Sequence, residues 1–300
     1  MVKNGAPKIG VLVLIMLLGT CTFMVEAGDI RIVTTFPILA DFAQEVGGDR
    51  ADVISLVPIG ADPHSWEPTP RDARSVASAH IVFSNGGGFD AWLDRLISNA
   101  ASPDTPVVVL SEGLVPLAGG EHNHGHEHEG DPHFWLSVPN AIHYVERMAA
   151  ALSALVPENE EYFQERAADY IQKLEELDAW LLTEISKIPP ENRVLVTYHN
   201  AFSYLADRYG FSVVEFLVHN PQSEPTARDM VEMVKLLSSY NKPVVFMEPQ
   251  ISSGHRYAEA LTNEVGGSVR ILYSDSFTQD VSSYLDMMYL NGKTLVEALQ

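Results

Sequence analysis

The chain has 300 residues, of which 46% are apolar and 20% are charged, a composition typical of a globular protein large enough for two domains. Its formal net charge of −21 argues against a nucleic-acid partner, because an acidic surface repels phosphate groups and attracts cations. The single cysteine, Cys21, excludes an internal disulfide and a cysteine-rich metal site.

Residues 1–27 are typical of an export signal. Lys3 and Lys8 supply positive charge around the start of an apolar run over 9–18, and this run is short for a transmembrane helix. Small residues around Ala27 fit signal-peptidase cleavage. A lipid anchor at Cys21 is the alternative, because the residues before it loosely resemble a lipoprotein processing site. Both alternatives predict a mature protein that is periplasmic or anchored outside the cytoplasmic membrane.

Short β-rich runs alternate with helical runs after this signal. The pattern predicts strands over 30–34, 53–57, 81–84 and 107–110, and helices over 38–46, 71–79, 89–99 and 139–155. Such alternation is typical of a parallel sheet with helices on both faces.

A long helix is predicted next. Residues 158–188 contain no glycine or proline, and apolar residues recur at steps of three and four from Phe163 to Ile188. Such a helix would be about 45 Å long. One strand of a coiled coil is an alternative, but a single segment with strands on both sides fits a connecting strut better.

The alternation then resumes, with strands predicted over 194–198, 213–217, 244–247 and 269–273, and helices over 202–209, 226–240, 255–265 and 281–299. We therefore predict an α/β fold of two lobes, each with a four-stranded, mainly parallel sheet flanked by helices, joined by one long rigid helix. The predicted boundaries are 28–156 for the first lobe, 157–189 for the helix and 190–300 for the second lobe.

Four residues are candidate metal ligands, because ligands of parallel α/β sheets bind beyond the carboxyl ends of strands. His64 and His133 each end an Asp-Pro-His sequence, His199 ends a predicted strand, and Asp275 follows the last one. Three imidazoles and one carboxylate suit a four-coordinate zinc site, and the lack of an open position favours holding the metal over catalysis. Alternatively, Asp-Pro-His forms only a turn and Asp275 caps a helix.

Several acidic residues lie close to these candidates in the sequence. Asp62, Glu67 and Asp131 either orient the histidines or are solvated turn residues. Glu248, at the end of a predicted strand, is a further cleft candidate for which a ligand role and a structural role remain open.

A histidine-rich tract at 121–129 contains His122, His124, His126 and His128. Its alternating imidazoles and its glycine favour a loop that binds first-row metals weakly, as an accessory capture site. A solvated charged loop without a metal role is the alternative.

Six segments, over 60–70, 84–92, 131–136, 197–202, 248–253 and 284–291, together resemble the zinc/manganese solute-binding protein family of ABC importers. The resemblance implies two α/β lobes joined by a long helix, with metal held between them by His64, His133, His199 and Asp275. It also implies a histidine-rich loop ahead of the second ligand. Manganese-selective members tend to carry a carboxylate where this chain has His199, so the resemblance favours Zn²⁺, with Mn²⁺ second.

The expected function is therefore a receptor, not an enzyme, that captures Zn(II) and delivers it to an ABC permease and its ATPase. We expect a monomer that contacts the membrane through the permease or a lipid anchor. Mn(II) or Fe(II) as cargo is the first alternative. A secreted zinc hydrolase is the second, although no His-Glu-x-x-His pattern is present. A metal-dependent adhesion protein is the third, and nothing in the sequence supports it directly.

Overall fold

The structure is a computed structural model that describes residues 30–117, 130–218, 223–251 and 254–300. The predicted signal, with Cys21, and the histidine tract with His122, His124, His126 and His128 lie outside the described residues. Within the described ranges, no helix combines the length and apolar character needed to cross a membrane.

The first lobe contains a parallel sheet in the order β2-β1-β3-β4. Its strands are β1 (Ile30–Thr34), β2 (Ala51–Ser55), β3 (Ile81–Ser84) and β4 (Val107–Val109). Its helices are α1 (Pro37–Gly47), α2 (Pro70–Ala77), α3 (Trp92–Ala100) and α4 (Val138–Leu155). The strand β2 begins two residues before the predicted position 53, because Ala51 and Asp52 already pair with β1. Asp52 is a poor strand former, but it lies 3.5 Å from the Arg31 guanidinium on β1.

The second lobe repeats this arrangement, in the order β6-β5-β7-β8. Its strands are β5 (Val194–His199), β6 (Ser212–Val218), β7 (Val244–Met247) and β8 (Ser268–Ile271), and every pairing is parallel. Its helices are α6 (Ser203–Tyr209), α7 (Ala227–Leu237), α8 (His255–Val265) and α9 (Tyr284–Leu299). The predicted fold class of two α/β lobes is confirmed. In both lobes the first strand lies between the second and the third, so the carboxyl ends of the strands form a comparable crevice in each.

The helix α5 (Glu160–Ile185) joins the lobes and confirms the predicted long helix. Its buried residues recur at steps of three and four, as the sequence predicts: Phe163, Ala167, Tyr170, Leu174, Leu177, Leu181 and Ile185. One hydrophobic cluster includes residues of both lobes and of this helix. The exact domain boundaries stay a prediction.

Polar contacts fix α5 to both lobes. Near its start, the Tyr162 hydroxyl accepts a hydrogen bond from the backbone N–H of Asp49 (3.1 Å), and Arg166 donates to the backbone oxygen of Glu45 (2.7 Å). Farther along, Asp178 accepts a hydrogen bond from the Tyr209 hydroxyl (2.9 Å) and forms an ion pair with Arg208. The connecting helix therefore has little freedom relative to either lobe.

Candidate metal centre

The two Asp-Pro-His sequences share one local hydrogen bond. The Asp62 carboxylate accepts a hydrogen bond from the backbone N–H of His64 at 2.9 Å, and the Asp131 carboxylate accepts one from the backbone N–H of His133 at 2.9 Å. A short 3₁₀ turn over Pro63–Ser65 contains His64, and another begins directly after His133, over Phe134–Leu136. The turn interpretation is therefore correct, and each turn also places an imidazole beside the candidate ligands of the other lobe.

All four candidate ligands converge between the lobes. His64, His133, His199 and Asp275 each offer one ligand atom, and these atoms lie within 4.8 Å of one another. The Nε2 atoms of His64 and His133 are 3.3 Å apart, and the Asp275 Oδ2 lies 3.4 Å from the first of them. The Nε2 of His199 is 3.5 Å from the same carboxylate oxygen. A tetrahedral ion with bonds of about 2.0–2.1 Å spaces its ligands about 3.3–3.4 Å apart. These three distances match the spacing around a bound divalent cation, and the remaining donor pairs lie within 4.8 Å.

Asp275 is the charged centre of this group. It is fully buried, and neither carboxylate oxygen has a hydrogen-bond partner within the described part of the chain. Burial acts to raise the pKa of Asp275. The surrounding imidazoles, led by His133, lower it by more than burial raises it, so the pKa lies below its ordinary value. A buried carboxylate kept ionised in this way is costly unless a cation compensates it.

Two further buried carboxylates contact the outer ring nitrogens of two candidate ligands, His133 and His199. The Asp131 Oδ1 lies 2.7 Å from the Nδ1 of His133, and the Glu248 Oε1 lies 2.6 Å from the Nδ1 of His199. Such contacts fix the ring orientation and leave Nε2 free to bind a metal. Burial acts to lower the pKa of His199, but Glu248 raises it, and the resulting pKa is about 9. Of the acidic residues that the sequence left open, Glu67 is exposed.

Several residues of the cleft make contacts that the sequence does not predict. Phe89 packs edge-on against the His64 ring, with ring centroids 4.7 Å apart. The Trp135 indole donates across the lobes to the backbone oxygen of Ser274 at 2.8 Å. The Ser276 hydroxyl accepts a hydrogen bond from the backbone N–H of Gly60 at 2.9 Å. Phe89, Trp135 and Gly60 fall in segments that carry the family resemblance, but each contact joins segments far apart in the chain, so the sequence does not predict which residues meet.

Comparison with known proteins decides the family. The family model described as "Zinc-uptake complex component A periplasmic" (ZnuA) matches residues 32–298. The chain belongs to the ZnuA family. As a member of that family it is the substrate-binding receptor of a metal ABC importer, works with a permease and an ATPase, and acts outside the cytoplasmic membrane.

Individual relatives of this ZnuA-family protein are named for different metals. It is 32% identical over 275 residues to the manganese-binding lipoprotein MntA of Halalkalibacterium halodurans, covering 90% of this chain and 88% of that protein. It is 32% identical over 271 residues to the iron-binding protein YfeA of Yersinia pestis, with coverages of 89% and 85%. The Mn-bound periplasmic metal binding protein from Candidatus Liberibacter asiaticus superposes with a TM-score of 0.79 at 27% identity, covering 90% of this chain and all of the other. The hydrolase alternative finds no support in these comparisons.

Proposed function

We propose that this receptor captures Zn(II) between its lobes through His64, His133, His199 and Asp275 and delivers the ion to the permease as a monomer. The observation that carries the proposal is the convergence of three imidazole nitrogens and one carboxylate from two lobes, within 4.8 Å of one another. No other part of the described chain gathers three or more potential metal ligands in this way.

The donor set favours zinc. Imidazole nitrogen is a borderline ligand that suits zinc, whereas manganese is better matched by carboxylate, carbonyl and water oxygens. Three of the four donors here are imidazole nitrogens. His199 also stands where manganese-selective proteins of the resembling family tend to carry a carboxylate.

Burial of the donors supports a holding role. His133, His199 and Asp275 are at most 3% exposed, and a four-coordinate zinc bound by all four side chains has no open position for an activated water. Such a site retains its ion until the protein changes shape, as a receptor that hands its cargo to a permease requires.

A receptor for Mn(II) or Fe(II) is the second candidate. The names of MntA and YfeA favour it, and so does the buried Glu248 carboxylate beside His199. A second carboxylate in the cleft increases the oxygen donors available to a harder ion.

Calorimetric titration of the metal-stripped mature protein distinguishes these candidates. We expect tight one-site binding of Zn(II), weak binding of Mn(II) and Fe(II), and loss of the tight site in His199→Ala. The matched control is His80→Ala, because His80 is exposed and precedes β3 at the opposite edge of its sheet. A preference for Mn(II) would keep the receptor and overturn the choice of cargo. Tight Zn(II) binding that survives His199→Ala would overturn the cleft site.

The histidine tract is proposed as a weaker accessory site for the same ion. Its four alternating imidazoles at 122, 124, 126 and 128 are ligands suited to zinc. Deletion of 121–129 should remove additional weak binding and leave the tight site intact. Loss of the tight site after this deletion would contradict the accessory role.

A further inference from the structure

His64 differs from the other three candidate ligands in how it is held. Its side chain is 20% exposed, whereas those of His133, His199 and Asp275 are at most 3% exposed. His133 and His199 each have a buried carboxylate against the outer ring nitrogen. The carboxylate beside His64 instead accepts from its backbone N–H. The ring of His64 is therefore the ligand that solvent reaches, and its position depends on the loop that carries it.

That loop, over 58–66, makes mainly local backbone hydrogen bonds. The N–H of Ala61 donates to the oxygen of Pro58 at 3.1 Å, and the N–H of Trp66 donates to the oxygen of Pro63 at 3.5 Å. These bonds shape the loop but do not attach it to the rest of the molecule. Ala61 and Trp66 pack against the main hydrophobic cluster, and Gly60 makes a polar attachment to the second lobe, because its backbone N–H donates to the Ser276 hydroxyl at 2.9 Å.

Both partners of this bond are specialised for it. Ser276 is fully buried and directly follows the ligand Asp275. Gly60 has a φ of +81°, and a Cβ at this position would meet no atom within 4 Å. The requirement for glycine is therefore conformational, and the left-handed backbone presents the amide to the cleft. The bond therefore joins the loop that carries His64 to Ser276, the residue next to the fully buried Asp275.

We propose that Ser276 is a positioning residue whose hydroxyl holds the His64 loop closed over the bound metal and thereby sets the rate of metal release. The inference rests on the proposed metal site, whichever divalent ion occupies it. Before the ion can leave, His64 has to move away from it, and the Gly60–Ser276 bond has to break with that movement. The arrival of an ion at the open site does not require the bond to be formed.

Two serines flank Asp275 and give a matched pair of variants. Ser274 and Ser276 are both fully buried. The Ser274 hydroxyl accepts from the Gln250 side chain at 3.0 Å, within the second lobe, whereas the Ser276 hydroxyl accepts from the first. Ser276→Ala and Ser274→Ala therefore remove the same group at the same distance in sequence from the ligand. Only the first breaks a bond across the cleft, because the bond from Trp135 is accepted by the backbone oxygen of Ser274, which alanine keeps.

The experiment loads the mature protein with one equivalent of Zn(II) and follows its release to an excess of a chromophoric chelator by stopped flow. Ser276→Ala should release Zn(II) about two- to tenfold faster, the range for loss of one hydrogen bond. Its association rate should match that of the unsubstituted protein. Ser274→Ala should change neither rate by more than about twofold. Equal release from the unsubstituted protein and Ser276→Ala, or equal acceleration in both variants, would overturn the proposal.

Amide hydrogen exchange of the metal-loaded protein, followed by NMR, gives an independent readout. The Gly60 amide should exchange faster in Ser276→Ala, whereas the Ala61 amide, bonded within the loop to Pro58, should keep its exchange rate. Unchanged protection of the Gly60 amide would overturn the proposed role of the Gly60–Ser276 bond. If the unsubstituted protein binds Mn(II) more tightly than Zn(II), the cargo assignment fails, and the role of Ser276 is then tested by the rate of Mn(II) release. If it holds no divalent ion, both proposals fail.

Discussion

Two carboxylates, a fully buried one in the cleft and a partly buried one where the connecting helix meets both lobes, have opposite pKa shifts. Asp275 in the cleft has a pKa below its ordinary value, although burial acts to raise it. Asp41, on α1, has a pKa raised to about 6, chiefly by burial. It accepts hydrogen bonds from the backbone N–H of Tyr284 (2.8 Å) and the hydroxyl of Tyr170 (3.4 Å), whereas Glu45 raises its pKa further.

Desolvation acts to raise the pKa at both sites, and Asp275 is the more buried of the two, so the neighbours decide the direction of the shift. Three imidazoles around Asp275 keep it ionised, and the buried negative charge then favours a divalent cation. At the helix junction the neighbours are neutral donors and other acids, so Asp41 gains a proton more readily. The comparison separates a carboxylate placed to bind a cation from one that joins structural elements, which burial alone does not do.

The largest expected effect is that of removing the cleft charge. Asp275→Asn keeps the shape of the side chain but removes its charge, and Zn(II) affinity should fall by more than about 100-fold, beyond the range for an outer carboxylate. Asp41→Asn is the matched control, because the same change at the helix junction should leave affinity unchanged. Competition with a chelator of known affinity measures both, and comparable losses in the two variants would break the distinction between the sites.

A smaller loss of Zn(II) affinity is expected when Glu248, which contacts the Nδ1 of His199, is substituted. Glu248→Gln weakens the contact with the imidazole Nδ1, so Zn(II) affinity should fall by about 10- to 100-fold, as for other histidine-orienting carboxylates. Glu45→Gln, which lies near Asp41 rather than in the cleft, serves as control. If Glu248→Gln leaves Zn(II) affinity unchanged while abolishing Mn(II) binding, Glu248 is a ligand for the harder ion instead.

The pH dependence of affinity follows from the same contact. The pKa of His199 is about 9, so in the metal-free protein this imidazole is protonated at neutral pH and a bound metal has to displace the proton. Affinity should therefore rise by up to about tenfold per pH unit from pH 7 towards pH 9 and fall on acidification. Titrations in buffers with different ionisation enthalpies count the released proton. A flat profile over this range would contradict the raised pKa.

The smallest effect concerns stability at the helix junction. The folded-state pKa of Asp41 (about 6) exceeds its ordinary value of 3.8, so the stability linked to its protonation is present below about pH 4 and is lost as pH rises through about 6. Asp41→Asn avoids burying the charge and should raise the melting temperature of the metal-free protein by about 2–6 °C at pH 8. The change at pH 4 should be much smaller. A lower melting temperature at pH 8 would show that the carboxylate charge is needed at the junction.

The sequence predicts most of the fold because its signals are local. Apolar periodicity predicts α5, and the two Asp-Pro-His sequences single out His64 and His133 as candidate ligands. The contacts that complete the site are not local. Glu248 lies 49 positions from His199, and Ser276 lies 216 positions from Gly60. Pattern and spacing carry no information on such pairs, since they depend on how two lobes meet in space.

The shared hydrophobic core has a consequence for how the protein is made. The last helix of the chain, α9, packs against α5, and its first residue bonds to Asp41 near the start of the chain. Leu295 and Leu299 of α9 belong to the same hydrophobic cluster as Ile30 of the first strand. Folding of this shared core therefore cannot be completed until α9 emerges. A chain in that condition stays incompletely folded while it is being synthesised, which suits export of an unfolded polypeptide followed by assembly of both lobes on the far side of the membrane.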